Sequence, residues 1–103
     1  MKDPIADFKS AVVRCKPNDV HVYHVGFLGS DISSSPTLTN IQMFAYGLYL
    51  MGRVGLRQQR VTIKTDIAEI DIFKTEYSMR ILQPVHTLDF DTARKAYLNS
   101  VRA

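Results

Sequence analysis

The side chains in this sequence that are best suited to chemistry are the basic and amide residues of one stretch, residues 53–64. Four of them are positively charged and no acid interrupts them: Arg53, Arg57, Arg60 and Lys64. Guanidinium and ammonium groups bind phosphate oxygens, and arginine or glutamine side chains hydrogen-bond to the edges of bases. The stretch therefore predicts a nucleic-acid-binding strand composed of Arg53, Arg57, Gln58, Arg60 and Lys64.

An acidic stretch follows the basic one and supports a second interpretation. Residues 66–76 contain four acids and a single lysine. If a turn near residues 65–67 joins two antiparallel strands, Glu69 and Asp71 come within cross-strand reach of Arg60 and Lys64. The basic strand would then be an ordinary solvated surface, in which each exposed ion pair contributes about 1 kcal/mol or less. The sequence leaves both interpretations open.

No set of residues predicts catalysis, and the sequence indicates neither a metal nor a cofactor. His21 and His24 are three positions apart, which places them on opposite faces of a strand unless a bulge intervenes. Cys15 lies on the apolar face of a predicted helix, where a buried thiol is unreactive. Glu69 and Asp71 share a predicted strand face, but no calcium-binding loop pattern surrounds them. We expect a binding protein and no enzyme.

Length and composition are typical of one globular domain. The chain has 103 residues, of which 46% are hydrophobic and 22% are charged, so we expect a single domain over residues 1–103. The net charge of +3 favours anionic partners if it is gathered on one face. A lone cysteine excludes an internal disulfide and is typical of a reducing compartment, and the longest uncharged run is too short to span a bilayer. We therefore expect a cytoplasmic protein without a membrane-spanning segment.

Apolar periodicity predicts a mixed α+β fold in the order helix, strand, helix, three strands, helix. The first helix begins at Asp3 and Pro4, the second covers residues 38–52 with Thr37 or Thr39 as its cap, and the last begins at Asp89. Strands are predicted at residues 20–28, 60–64, 68–73 and 77–83. They predict a mostly antiparallel sheet of about four strands.

A helix followed by a basic hairpin is typical of a winged-helix domain. Such a domain needs a second helix before the hairpin, and only one is evident in the sequence. The composition of residues 29–37 favours a loop, so a helix within residues 30–37 would be needed to complete the arrangement.

The helix over residues 38–52 is apolar around most of its circumference. A domain of this size can hardly surround such a helix, so part of its surface predicts a contact with another chain. The predicted interface consists of Met43, Tyr46, Tyr49 and Leu50. We therefore expect a homodimer or a complex with a partner protein.

The segments VYHVGFL, GRVGLRQQR and TEYSMR, with the helix between the first two, resemble a pattern of small phage and prophage proteins over residues 20–80. The resemblance implies a viral or mobile-element origin and carries no agreed activity. It favours small regulators and inhibitors of host machinery. Our first hypothesis is a DNA-binding regulator that contacts phosphates through the basic strand. The alternative is a protein-interaction module that inhibits a host enzyme through the apolar helix and needs no nucleic acid.

Overall fold

The computed structural model describes residues 3–64 and 71–102, which form helices on one face of a three-stranded sheet. In chain order the elements are α1 (Pro4–Arg14), β1 (Val20–Gly26), α2 (Leu28–Asp31), a 3₁₀ turn (Ile32–Ser34), α3 (Pro36–Leu50), β2 (Val54–Lys64), β3 (Asp71–Ile81) and α4 (Asp89–Arg102). The predicted α+β class and the order helix, strand, helix, strands, helix are confirmed. Within these residues, no helix combines the length and the apolar character that crossing a membrane requires.

The sheet is antiparallel, with the strand order β1, β3, β2. The central strand, β3, pairs with β2 from Val54 opposite Ile81 to Lys64 opposite Asp71. Its pairing with β1 is shorter and ends where Gly26 lies opposite Thr75. The far part of the β2–β3 hairpin is therefore a two-stranded ribbon.

The sheet has one strand fewer than the sequence predicted. One continuous strand, β3, replaces the strands predicted at residues 68–73 and 77–83. No glycine or proline interrupts residues 71–81, so the ladder with β2 continues where a break was expected. The predicted turn at residues 65–67 and the strand positions 68–70 lie outside the described residues.

Residues 28–34, most of which were predicted to be a loop, are helical. α2 forms one turn and the 3₁₀ turn continues it up to Ser34. α3 then begins at Pro36, because the Ser35 hydroxyl accepts the Leu38 N–H at 3.2 Å and proline at the first helical position loses no hydrogen bond. The predicted caps, Thr37 and Thr39, lie inside the helix. Two helical segments thus precede the hairpin, as in a winged-helix arrangement.

The core lies between the helices and one face of the sheet. Its largest fully buried side chains come from all layers: Val12 of α1, Leu48 of α3, Val54 of β2, Met79 and Ile81 of β3, and Phe90 of α4. Burying a side chain of this size stabilises the fold by about 1.5–3 kcal/mol. These contacts fix the base of the hairpin firmly against the helices.

α4 covers much of the apolar surface of α3. The two helices approach closely where Gly47 of α3 faces the backbone of Ala93 of α4, and a Cβ atom at Gly47 would be 2.9 Å from the Ala93 Cα. Met43 and Phe44 are buried in the same core, at 9% and 7% exposure. Much of the apolar circumference that predicted an interface is therefore covered within the chain.

Candidate nucleic-acid interface

The basic strand leaves the core part-way along its length. Val54, at its start, is 1% exposed, whereas residues 57–60 are all exposed. Because successive side chains of a strand point to opposite faces, four exposed residues in a row mean that neither face of the strand is covered there. We call residues 57–62 of β2 and their partners on β3, residues 73–78, the ribbon. β1 also pairs with residues 75–78, so the hairpin is two-stranded only beyond Arg60 and Thr75.

Arg57 and Arg60 lie on opposite faces of the ribbon. Arg60 shares its face with Leu56, which packs against the core, and Arg57 shares the outer face with Ser78, its partner on β3. Among the side chains that the structure describes, no carboxylate forms an ion pair with either guanidinium. The Arg60 guanidinium lies over the Phe73 ring at 5.6 Å, a contact that orients the cation without neutralising it.

The antiparallel hairpin that could bring Arg60 and Lys64 near Glu69 and Asp71 is present, and it places Asp71 opposite Lys64. Arg60 lies opposite Thr75, because the strand that pairs with β2 begins at Asp71, opposite Lys64. Of the two acids that were considered as partners, Asp71 lies opposite Lys64, four residues from Arg60 along β2. Glu69 lies outside the described residues. For Lys64 only the backbone position is described.

Arg53 does not belong to the exposed cations. Its Nη1 donates to the Gln83 side-chain oxygen at 2.9 Å, and its Nη2 is 3.9 Å from an Asp89 carboxylate oxygen. The half-buried guanidinium ties the start of β2 to the segment that precedes α4. The exposed part of the predicted set is therefore Arg57, Gln58 and Arg60.

α3 is not suited to lie in a nucleic-acid groove, because it carries no charged residue. The predicted protein interface on it is smaller than expected, since Met43 is buried in the core. The Tyr46 ring packs against Tyr49 and against Tyr97 of α4, with centroids 5.8 and 6.0 Å apart. Tyr49 and Leu50 remain 48% and 41% exposed at the end of the helix.

A β-bulge between Val22 and His24 brings His21 and His24 to one face of the sheet, opposite Met79 and Tyr77. The expected separation of the two histidines was conditional on a regular strand, and the bulge removes it. His21 packs against the Phe8 ring at 5.9 Å, and burial lowers its pKa. In the described part of the chain, no three histidine, cysteine or acidic residues are grouped as metal ligands.

Cys15 is half-buried and its thiol donates to the Ala11 carbonyl oxygen at 3.2 Å. Burial raises the pKa of this thiol, and the nearby Asp19 carboxylate adds to the rise. A protonated thiol is a poor nucleophile. The position agrees with the expectation that Cys15 packs against the core.

A hydrogen-bonded pair that the sequence analysis missed joins β1 to α2. Asp31 accepts the Phe27 N–H at 2.9 Å and contacts His24 Nε2 at 2.7 Å. The hydrogen bond from His24, followed by that from the Phe27 amide, lowers the pKa of Asp31. The two side chains are seven positions apart, and the bulge in β1 sets the face on which His24 lies. No local sequence pattern predicts the pair.

We expect Asp31→Asn to lower the free energy of unfolding near pH 7 and to have a shrinking effect as the solution is acidified. A carboxyl whose folded pKa is lowered contributes stability above its unfolded pKa of about 3.9, and that contribution is lost as the pH falls toward the folded value. Urea unfolding of both proteins across this range measures the difference. The control is Glu76→Gln, because the Glu76 carboxylate has no ion-pair partner among the described residues. A stability difference for Asp31→Asn that is constant with pH would contradict the prediction.

Sequence and structure comparisons with known proteins do not identify this chain. No protein-family model, no curated protein sequence and no solved structure matches the chain. The order of helices and strands is that of a winged-helix domain, with a one-turn α2. The features that bear on function are therefore the exposed ribbon and the groups around it.

Proposed function

We propose that this protein is a DNA-binding regulator that places its ribbon in a groove of the double helix. The observation that carries the proposal is the pair Arg57 and Arg60, both exposed and both without an acidic partner among the described side chains. Cations that are not neutralised within the chain are available to phosphates, which dominate the affinity of proteins for nucleic acids.

The geometry of the ribbon favours a groove over a flat contact. The major groove is about 12 Å wide and admits a two-stranded β-ribbon. The two-stranded end of this hairpin is residues 61–64 with 71–74, and Arg57 and Arg60 lie at its base, where β1 also pairs with β3. Because Arg57 and Arg60 lie on opposite faces, they reach phosphates on the two sides of such a groove. Gln58 and Gln59 are exposed between them and present amide groups to the base edges.

β2 is also the strand of the hairpin that is placed to enter the DNA groove ahead of β3. It lies at one edge of the sheet, so its outer side has no strand partner in the described structure. Lys64, at the end of β2, adds a further cation to the proposed contact. Arg53 is left out, because Asp89 and Gln83 hold it at the base of the hairpin.

We expect the double variant Arg57→Ala, Arg60→Ala to bind duplex DNA at least about tenfold more weakly at low salt, because two phosphate contacts are lost. The dependence of log K on log salt concentration should become shallower by about 2, or about 1 for each contact. Fluorescence polarisation with a labelled duplex, repeated at several salt concentrations, measures both quantities.

The matched control removes two arginines elsewhere. Arg94 and Arg102 are exposed on α4, so Arg94→Ala, Arg102→Ala changes the net charge by the same amount without touching the ribbon. We expect this control to retain most of the affinity and the salt dependence. Equal losses in both double variants, or no binding by the unaltered protein at low salt, would contradict the proposal.

The exposed side chains of Tyr49 and Leu50 support a second candidate, a protein-interaction module that acts on a partner such as a host enzyme or a second copy of the chain. Aromatic side chains are enriched at the energetic centres of protein interfaces. This surface is small, since Met43 is in the core and Tyr46 packs against Tyr97. An unaltered protein that does not bind DNA at low salt would favour this candidate. Either activity fits a cytoplasmic location, with Cys15 as a reduced thiol.

A further inference from the structure

The outer face of the sheet carries a groove of about 390 Å³ that lies near the base of the hairpin. It is lined by Val20, Gly55, Leu56, Arg57, Ser78, Arg80 and Leu82. A volume of this size is within the range of small-molecule sites, which is about 300–1,000 Å³. The groove differs from the ribbon in position, because Gly55 and Arg80 belong to the part of the sheet next to the core.

Two arginines flank the groove from neighbouring strands. Gly55 lies opposite Arg80 and Arg57 lies opposite Ser78, so both guanidinium groups project from the same face in adjacent rows of the ladder. Arg80 donates to the side-chain oxygen of Asn18 at 2.9 Å. Asn18 is a neutral acceptor, so it positions the guanidinium and leaves its charge uncancelled.

On the same face of the sheet, the nearest carboxylate to Arg57 in the strand pairing is that of Glu76. Glu76 lies opposite Gln59, one row beyond Arg57. In the described ranges it forms no ion pair with Arg57 or with Arg80. The positive charge beside the groove is therefore available to a ligand.

The floor of the groove is open and has a polar group. Gly55 has no side chain, and a Cβ atom placed there would meet nothing within 4 Å. Ser78 is 4% exposed and supplies a hydroxyl between the two arginines. A phosphate lying on this floor would receive hydrogen bonds from two guanidinium groups and one hydroxyl, the donor types that phosphates prefer.

The walls of the groove are apolar. Val20 and Leu82 are 58% and 50% exposed, although both are aliphatic. A phosphate joined to a flat ring, whose faces can pack against Val20 and Leu82, matches this combination of cations and apolar walls. We propose that the groove binds a nucleotide, with its phosphate between Arg57 and Arg80 and its base against Val20 and Leu82.

A phosphate with an attached base can come from a free nucleotide or from one nucleotide within a single-stranded nucleic acid. The site shares Arg57 and Ser78 with the ribbon but does not depend on the proposed function, since Gly55 and Arg80 lie outside the ribbon. Substitutions at these positions therefore test the nucleotide site separately.

Heteronuclear NMR of the full chain tests the proposal by titration with AMP, with inorganic phosphate and with a short single-stranded oligonucleotide that has no terminal phosphate. We expect saturable shifts of the Gly55, Ser78 and Arg80 amide signals. Saturation by AMP assigns the groove to free nucleotides, and saturation by the oligonucleotide alone assigns it to a strand; both support the proposal. Inorganic phosphate should bind more weakly than AMP, because it has no ring to contact the walls.

The variant Gly55→Val fills the floor while it keeps both arginines. The space above Gly55 is open and valine is favoured in strands, so the fold should persist, which the remaining amide signals verify. We expect Gly55→Val and Arg80→Ala each to weaken nucleotide binding at least about tenfold. Arg94→Ala, which removes an exposed arginine of α4, should leave it unchanged. The proposal is overturned if neither nucleotide ligand produces saturable shifts, if Gly55→Val binds as tightly as the unaltered protein, or if phosphate binds as tightly as AMP.

Discussion

Gly47→Ala is expected to lower the free energy of unfolding by about 3 kcal/mol, even though alanine is the better helix former by about 1 kcal/mol. The added methyl group would overlap the Ala93 carbonyl group, and backbone atoms cannot move aside by a change of rotamer. α4 would have to separate from α3. Urea unfolding followed by circular dichroism measures the loss, which corresponds to a fall of the melting temperature by roughly 10–20 °C.

The control for this substitution is Gly55→Ala, which makes the same chemical change in open space. A Cβ atom at Gly55 meets nothing within 4 Å, so the variant should be neutral or slightly more stable. Equal stabilities for Gly47→Ala and Gly55→Ala would show that the helices do not approach closely at Ala93.

The same variant bears on the alternative function. If α4 is displaced, the side chains of α3 that it covers become accessible, and Gly47→Ala should bind a hydrophobic dye or self-associate. The unaltered protein should do neither. Self-association of the unaltered protein, abolished by a charge at Tyr49, would instead support the protein-interaction candidate.

Features fixed by neighbouring residues were predicted from the sequence. Asp3 accepts hydrogen bonds from the N–H groups of Ile5 and Ala6, as expected of a cap before a proline. Asp89 starts α4 and accepts the His86 N–H at 2.8 Å. In each case the donor and acceptor are at most three positions apart, so the sequence pattern contains the whole interaction.

Features fixed by strand register were predicted only in part. One interpretation of the sequence brought Arg60 and Lys64 within reach of Glu69 and Asp71. Lys64 does lie opposite Asp71, but Arg60 lies opposite Thr75, and Glu69 is outside the described residues. A change of register replaces every cross-strand neighbour at once. The cross-strand neighbour of each basic residue therefore could not be read from the sequence alone.

Features fixed by helix packing were also beyond the sequence. The apolar circumference of α3 indicated a surface for another chain, yet Met43 is buried within this one. The covering element, α4, lies more than 40 positions along the chain, and its close approach depends on the absence of a side chain at Gly47. A glycine in a helix does not by itself indicate which element it faces.

Phe90→Ala is expected to cost about 3–5 kcal/mol of unfolding free energy, the range for removing a buried aromatic ring. Phe90 is 1% exposed and its ring packs edge-on against Phe44, with centroids 5.7 Å apart, and against Phe8 at 6.3 Å. The Lys9 ammonium group also lies 5.7 Å from its centroid. The cavity would remove contacts that hold α1, α3 and α4 together. A protein of ordinary stability, about 5–15 kcal/mol, would therefore lose a large share of its unfolding free energy. Denaturant unfolding measures the loss.

The matched control is Phe73→Ala, which removes the same ring from the ribbon. Phe73 is 55% exposed, so we expect its loss to change the stability by about 0.5 kcal/mol or less. For DNA binding the order of the two effects should be reversed, because the Phe73 ring lies 5.6 Å from the Arg60 guanidinium and orients it. Phe73→Ala should weaken DNA binding, whereas Phe90→Ala, measured below its unfolding transition, should not. If Phe73→Ala destabilises the protein as much as Phe90→Ala, the ribbon is packed against the domain and is not free to enter a groove.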